Sequence, residues 1–493
     1  MQSAKRECPT NLRSVPRCPL RMKRRDFVAT MGASAAALKV GLFDFASSLF
    51  GEEKKPAETT SGGAPLVRAV FMRPKTDRYW MGWPGAGYDI KARQADYTKT
   101  LSDAGQQFGV RIEVAAEPLS EQGELDALLD QLKQSPPDGL IVALMSMDYW
   151  GLADKLVAQR GNVPTIVFSP MGTSFTGHLQ PTRKAPRTFV AATQDYGWLA
   201  EGVRMFKVMA DMKSSRMCIV TGDRTEDRPL EPIGTTLHFI PHDRWVQQLE
   251  KTETSDEIRA IADYYGKEAK KIVEPKPEDV LNAAKMYVVA RQIMADENCQ
   301  GISLNCLPLI AGQKVPCGPC MAWSKLNDEL SAGACEADWN AAVSLRLTAL
   351  LCRRPGFIQD PAPNTVNNTL MGAHCSCPTK LAGPDKPHAP FILRHHAEPN
   401  KGCATQVLWP LGEEATVMKF EGPGRIILGT GRVVANIDTP PSGGCRTSVE
   451  LAMDGVADSR DCKGFHQLFI LGKLDRQFKA YCQLAGIEVV PIG

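Results

Sequence analysis

Two carboxylates and two imidazoles in the last third of the chain have the residue types and settings of a divalent-metal centre. Glu336 and Asp338 stand at the head of the apolar run WNAAVSLRLTALL, after a small-residue stretch, Ser331 to Ala334, that reads as a loop. Asp360 ends the short apolar run GFIQD, His374 follows the apolar run TLMGA, and His466 heads QLFIL. Each polar group therefore sits at the end of a core element. A carboxylate in a first helical turn is favoured by the macrodipole in any protein, and a single core histidine is more often a packing residue. No one position argues for chemistry alone. Together, two carboxylates with one or two imidazoles from these separate elements form an oxygen and nitrogen set suited to Mn²⁺, Mg²⁺ or another divalent ion. Paired carboxylates can also supply the acid and base that proton transfer needs.

The elements that must position these groups are legible as alternating runs. LVRAVFM, RIEVAA, DGLIVALMS and PTIVFSP read as strands, and Asp89 to Phe108, LDALLDQLKQ and YWGLADKLVAQ read as the helices between them. Strands alternating with helices through short connections predict a parallel sheet covered on both faces. The theme repeats in the helix GWLAEGVRMFKVMADM, the strands RMCIVTG and TTLHFIP, and a charged helical stretch from Asp243 to Val273. The helix DVLNAAKMYVVARQIMADE and the strand GISLNCLP complete it. After about residue 355, Pro, Gly and Thr rise, and ATVMKFEG, GRIILGTGRVV, TSVELAMDG and HQLFILG alternate as antiparallel strands of a sandwich or barrel do. The helix LDRQFKAYCQLAG and the strand IEVVPIG end the chain. The predicted fold class is α/β: two Rossmann-like parallel-sheet domains, over 66–180 and 181–355, then a β-rich barrel or sandwich domain over 356–493. Neither a Walker loop nor a G-x-G-x-x-G fingerprint occurs.

The chain has 493 residues and a formal net charge of +3, and that charge divides unevenly. Residues 1–50 hold nine Lys or Arg against three Asp or Glu; the remainder holds 49 basic and 52 acidic groups. A nucleic-acid-binding protein carries its basic excess on the folded body, so no nucleic-acid partner is expected. In the leader, Lys23-Arg24-Arg25-Asp26-Phe27 precedes the uncharged run VATMGASAAAL. This resembles a twin-arginine export signal, and the run is far short of the ~20 residues that span a bilayer. The expectation is an exported, periplasmic protein that engages the twin-arginine export machinery through residues 1–50, with a flexible linker over 51–65. Met1 and Met22 are both candidate starts. Thirteen Cys follow the leader. Cys218 and Cys352 lie in apolar runs and read as buried thiols. Cys317-Gly-Pro-Cys320 lacks a second CxxC or a CxxH and reads as a structural loop or local disulfide.

From roughly residue 66 to its C-terminus, the chain resembles the L-fucose/L-arabinose isomerase superfamily. CEADW resembles the glutamate-x-aspartate-tryptophan segment of arabinose isomerases, which places the first metal-ligating and catalytic glutamate at Glu336. Asp360 matches the second carboxylate ligand of fucose-isomerase-type members. GAHCSCP resembles the histidine segment of arabinose isomerases and makes His374 a ligand, and GFHQLFILG resembles the segment carrying the final ligand, His466. One position departs: arabinose isomerases carry a glutamate before the aspartate, whereas here Gln359 precedes Asp360. FILRHHAEPNKG and GGCRTS resemble segments of other members, and place His395 or His396 either at the site or in a solvated turn. Asn305 and Asn364 are weaker candidates for polar contacts to substrate. The resemblance implies two α/β domains followed by a β-rich one, a homo-oligomer (hexamer or tetramer), and Mn²⁺ as the metal.

The implied reaction is a metal-dependent aldose–ketose isomerisation of a pentose, hexose or 6-deoxy sugar through a cis-enediol. A divalent ion that chelates both oxygens polarises the carbonyl, and the carboxylates move the protons. Two other readings stand beside it. One is an exported sugar-binding protein without catalysis, to which paired carboxylates are superfluous; the other is a metal-dependent sugar epimerase or hydrolase on the same fold.

Overall fold

In the computed structural model, which describes residues 63–81, 86–438 and 445–493, the first five parallel strands form one sheet. Their order is Arg111–Val114, Leu66–Met72, Gly139–Leu144, Thr165–Pro170 and Thr188–Thr193. Alternation along Leu66–Met72 explains how both faces are used. Val67, Ala69 and Phe71 join one core cluster with Leu101 and Phe206, whereas Val70 and Met72 join another with Leu125 and Leu156. Gly139–Leu144, in the middle of the sheet, is buried along its whole length. The short hairpin of Arg78–Met81 and Ala86–Asp89 was not foreseen in the sequence. The leader and most of the 51–65 linker lie outside the described residues. Among the described residues no helix is long and apolar enough to cross a membrane.

A second sheet has the order Ala332–Cys335, Gly301–Leu304, Arg216–Val220 and Thr236–Ile240, all parallel, with Glu226–Pro229 antiparallel at its edge. Two expectations need correction here. The charged stretch Asp243 to Val273 is two helices, His242–Lys251 and Asp256–Glu268, because Ser255 caps the second by accepting the Ile258 N–H. Ser331 to Ala334 is no loop: Ala332–Cys335 is a strand whose small side chains let it lie against the helix Cys320–Asp328. A Cβ on Gly333 would stand 3.0 Å from the Trp323 ring, and the Asn327 side chain both donates to Gly333 O and accepts from its N–H, each at 3.0 Å.

The C-terminal region is a closed six-stranded barrel. Glu414–Phe420, Gln467–Leu471, Phe357–Asn364, Thr369–His374, Thr447–Met453 and Arg425–Asn436 pair in sequence, and the last pairs back to the first. Closure leaves the barrel without the exposed edges an open sheet carries. Glu488–Pro491 adds to Arg425–Asn436 from outside. Contacts join the described residues into one unit.

A buried carboxylate anchors the long connection between Thr369–His374 and Phe391–Arg394. Asp328 accepts from Thr379 Oγ1 and from the Lys380 N–H, both at 2.6 Å, and Thr379 continues to His388 and Tyr264. Burial pushes the Asp328 carboxyl up to about 6, against the pull of those two donors. A folded-state value above the unfolded one gives stability that is complete below about pH 4 and lost as pH rises to about 6. The shift corresponds to about 3 kcal/mol. Asp328→Asn keeps the acceptor for Lys380. Urea unfolding at pH 4 and pH 7 should therefore show the parent losing about 3 kcal/mol relative to this variant as pH rises.

Candidate metal centre

Strand register brings the barrel's polar residues to one rim. Gln359 pairs with Gln467, so one step beyond that pair His466 faces Asp360. Asp360 pairs with Ala373, so His374 lies next along the neighbouring strand. The fourth group arrives from the second sheet. Between the strand Ala332–Cys335 and the helix Trp339–Cys352, the chain turns at Glu336 and Ala337, with φ of 59° and 55°, and the Asp338 N–H donates to Cys335 O at 3.0 Å. Positive φ at both central residues with this hydrogen bond is the signature of a type I′ turn, which favours Gly and Asn. The following helix is pinned to the barrel, since Phe420 N donates to Ser344 Oγ and Gly422 N donates to Asn340 Oδ1. Glu336 is thus presented to the barrel rim from a strained turn, and His466 itself has φ of 51°. Strain held at a potential site is a hint of function. Ala337→Gly should relieve it and raise stability by about 0.5–1 kcal/mol, read from chemical denaturation.

One ligand atom from each of Glu336, His374 and His466 falls within 4.8 Å of the other two. An ion holding its ligands at ~2.1 Å spans roughly 4.2 Å between opposite ligands, so the spacing suits a first-row metal. His466 Nε2 lies 3.6 Å from Glu336 Oε2 and 3.3 Å from Asp360 Oδ1. These approaches lack hydrogen-bond alignment: His466 Nε2 and Asp360 Oδ1 are buried with no hydrogen-bond partner. Buried polar atoms left this way carry a desolvation cost that a shared cation removes. The donor set and the two orphaned atoms fit a divalent metal.

The surrounding groups fix the ligands. Asp338 Oδ2 lies 3.0 Å from His466 Nδ1, and a carboxylate can only accept, so Nδ1 carries the proton and the Nε2 lone pair faces the site. Asp338 also accepts from Lys419 Nζ at 3.0 Å and caps the helix through the Ala341 N–H. Burial would raise its carboxyl, but His466 and Lys419 hold it down at about 2. His374 is 6% exposed, and burial, with His466 and His396 nearby, lowers its imidazole to about 3, which keeps it a neutral ligand. Its Nδ1 is 3.2 Å from Ser376 Oγ, and the Cys335 thiol donates to the same hydroxyl. Burial raises the Asp360 carboxyl despite the pull of His466. Asp338→Asn frees His466 to adopt the other tautomer, so Mn²⁺ affinity should fall about 10–100-fold with little change in far-UV circular dichroism.

The ligand group that converges is Glu336, His374 and His466, and Asp360 approaches it through His466 Nε2 at 3.3 Å; two positions differ from the sequence expectation. Asp360 lies inside its strand, and Glu336 precedes the helix. Gln359 points into the barrel, where it is fully buried and donates to Gln467 Oε1. Gly372 makes that possible, because a Cβ there would stand 2.8 Å from the Gln359 side chain. Asn364 is committed elsewhere, donating to Glu450 at 2.8 Å, four residues along the strand from Asp360. Asn305 follows Leu304, which pairs with Cys335, and so shares the sheet edge of Glu336. His395 lies 3.4 Å from Asp279, whereas His396 is near enough to act electrostatically on His374. Cys317 and Cys320 are buried thiols. In the sequence, Asp338 reads as a carboxylate at a helix start, and the signal for Lys419 is a lone cation in the apolar run VMKF. No family model matches the chain, and no curated protein matches it significantly in sequence.

Proposed function

We propose that the chain is a metal-dependent aldose–ketose isomerase of the L-fucose/L-arabinose isomerase type, acting on a pentose, hexose or 6-deoxy sugar. The observation that carries this reading is the convergence of one ligand atom each from Glu336, His374 and His466, with Asp360 Oδ1 3.3 Å from His466 Nε2 and both of those atoms without a hydrogen-bond partner. A divalent ion bound there, Mn²⁺ in this proposal, supplies Lewis-acid polarisation of the sugar carbonyl. His374 and His466 offer ring nitrogens, and the Asp338 carboxylate holds His466 through Nδ1. Glu336 and Asp360, held by separate elements, serve as base and acid. One accepts the proton from C2 and returns it to C1, and the other moves the proton between the two oxygens. No atom is gained or lost, so no redox cofactor is required.

The first sheet has the strand order of doubly wound folds, with the first strand inside and the second at its flank, which supports a Rossmann-like first domain. The second sheet departs from that order, because antiparallel Glu226–Pro229, not a helix, lies between Arg216–Val220 and Thr236–Ile240 in the chain; a Rossmann-like second domain is part of the proposal. Export through the twin-arginine route and assembly as a hexamer or tetramer belong to the same proposal. The test is incubation with Mn²⁺ and a panel of pentoses, hexoses and 6-deoxy sugars, followed by NMR. Ketose formation that EDTA abolishes is expected. An epimer or hydrolysis product would support a different reaction at this centre, and bound sugar without turnover would support a binding protein.

A further inference from the structure

Thiols gather beside the metal centre, and one pair among them has the placement of a disulfide. Cys375 directly follows His374 and is fully buried. It packs with Cys320 and Ala404, and the partly exposed Cys445 packs against the same cluster. The register explains the proximity: His374 pairs with Thr447, so Cys375 and Cys445 lie at the adjoining ends of two neighbouring barrel strands. The two thiols are within hydrogen-bond contact. Both are reduced.

We propose that Cys375 and Cys445 form a disulfide when the protein meets a disulfide oxidant. The sulfur of Cys445, the more exposed partner, gives up its proton as it attacks the oxidant, and one oxidant sulfur leaves as a thiol. The Cys375 sulfur then gives up its proton and displaces the second oxidant thiol from the mixed disulfide. Two protein thiols lose two protons and two electrons, and the oxidant gains both as two thiols. The cross-link ties the strand end carrying His374 to the segment that enters Thr447–Met453. Cys218 and Cys299 are also in contact, but both are buried, so the same oxidant has no route to them. A thiolate metal site does not explain the pair. Among the described residues, the group of three or more metal-binding side chains that converges is Glu336, His374 and His466.

The test uses the full chain and needs no sugar activity. The protein is incubated with oxidised glutathione, unfolded with alkylating agent present, digested without reduction and mapped by mass spectrometry. The expected product is the Cys375 peptide joined to the Cys445 peptide, two hydrogens lighter than their sum, and restored by dithiothreitol. Cys445→Ser should leave Cys375 fully alkylated. Alkylation of both residues in the oxidised parent, or a link from either to another cysteine or stably to glutathione, would overturn the proposal.

Discussion

Glu336→Gln is expected to lower the kcat of ketose formation by about 10³-fold while leaving the fold intact. The side chain is 41% exposed, so the amide costs little in burial. The substitution keeps the size of the group and the turn at Glu336 and Ala337, and removes only the charge and the proton-accepting oxygen. Melting temperature and circular dichroism should match those of the parent. Kinetics on the sugar that the panel identifies provide the check. Turnover within a few-fold of the parent would remove Glu336 from the chemistry.

The second large effect belongs to His466. It is 2% exposed, contacts Asp338 through Nδ1 and turns Nε2 toward Glu336 and Asp360. His466→Ala deletes a ligand and also leaves Asp338 with Lys419 as its remaining charged partner. Losing only an outer-sphere partner typically costs 10–100-fold in metal affinity, so losing the ligand should cost more than about 100-fold. His466→Gln separates the two contributions. It keeps a polar side chain but not the imidazole geometry, so metal binding should still collapse while stability recovers in part.

Much of this site was legible because its residues sit where the hydrophobic pattern breaks. Asp360, His374 and His466 each adjoin an apolar strand, and antiparallel register then makes neighbours of residues far apart in sequence. Barrel closure was not legible, since it depends on Glu414–Phe420 finding Arg425–Asn436 as well as Gln467–Leu471. Local alternation is identical in a sandwich. The strand Ala332–Cys335 was missed for a related reason. Ser-Ala-Gly-Ala has loop-like propensity, and only the close approach of Trp323 makes small residues a requirement there. Asp338 was visible as a helix cap, but its contact to His466, 128 residues away, is a tertiary fact. Gln359 likewise gains its meaning from orientation, because this side chain faces the barrel interior.

The most direct measurement is a Mn²⁺ titration of metal-stripped protein, followed by electron paramagnetic resonance and repeated on His374→Ala and His466→Ala. The account predicts about one tightly held ion per chain in the parent, with the two imidazole nitrogens in its coordination sphere, and loss of that site in both variants. A parent that leaves Mn²⁺ and other divalent ions in solution, or variants that bind them equally well, would contradict it.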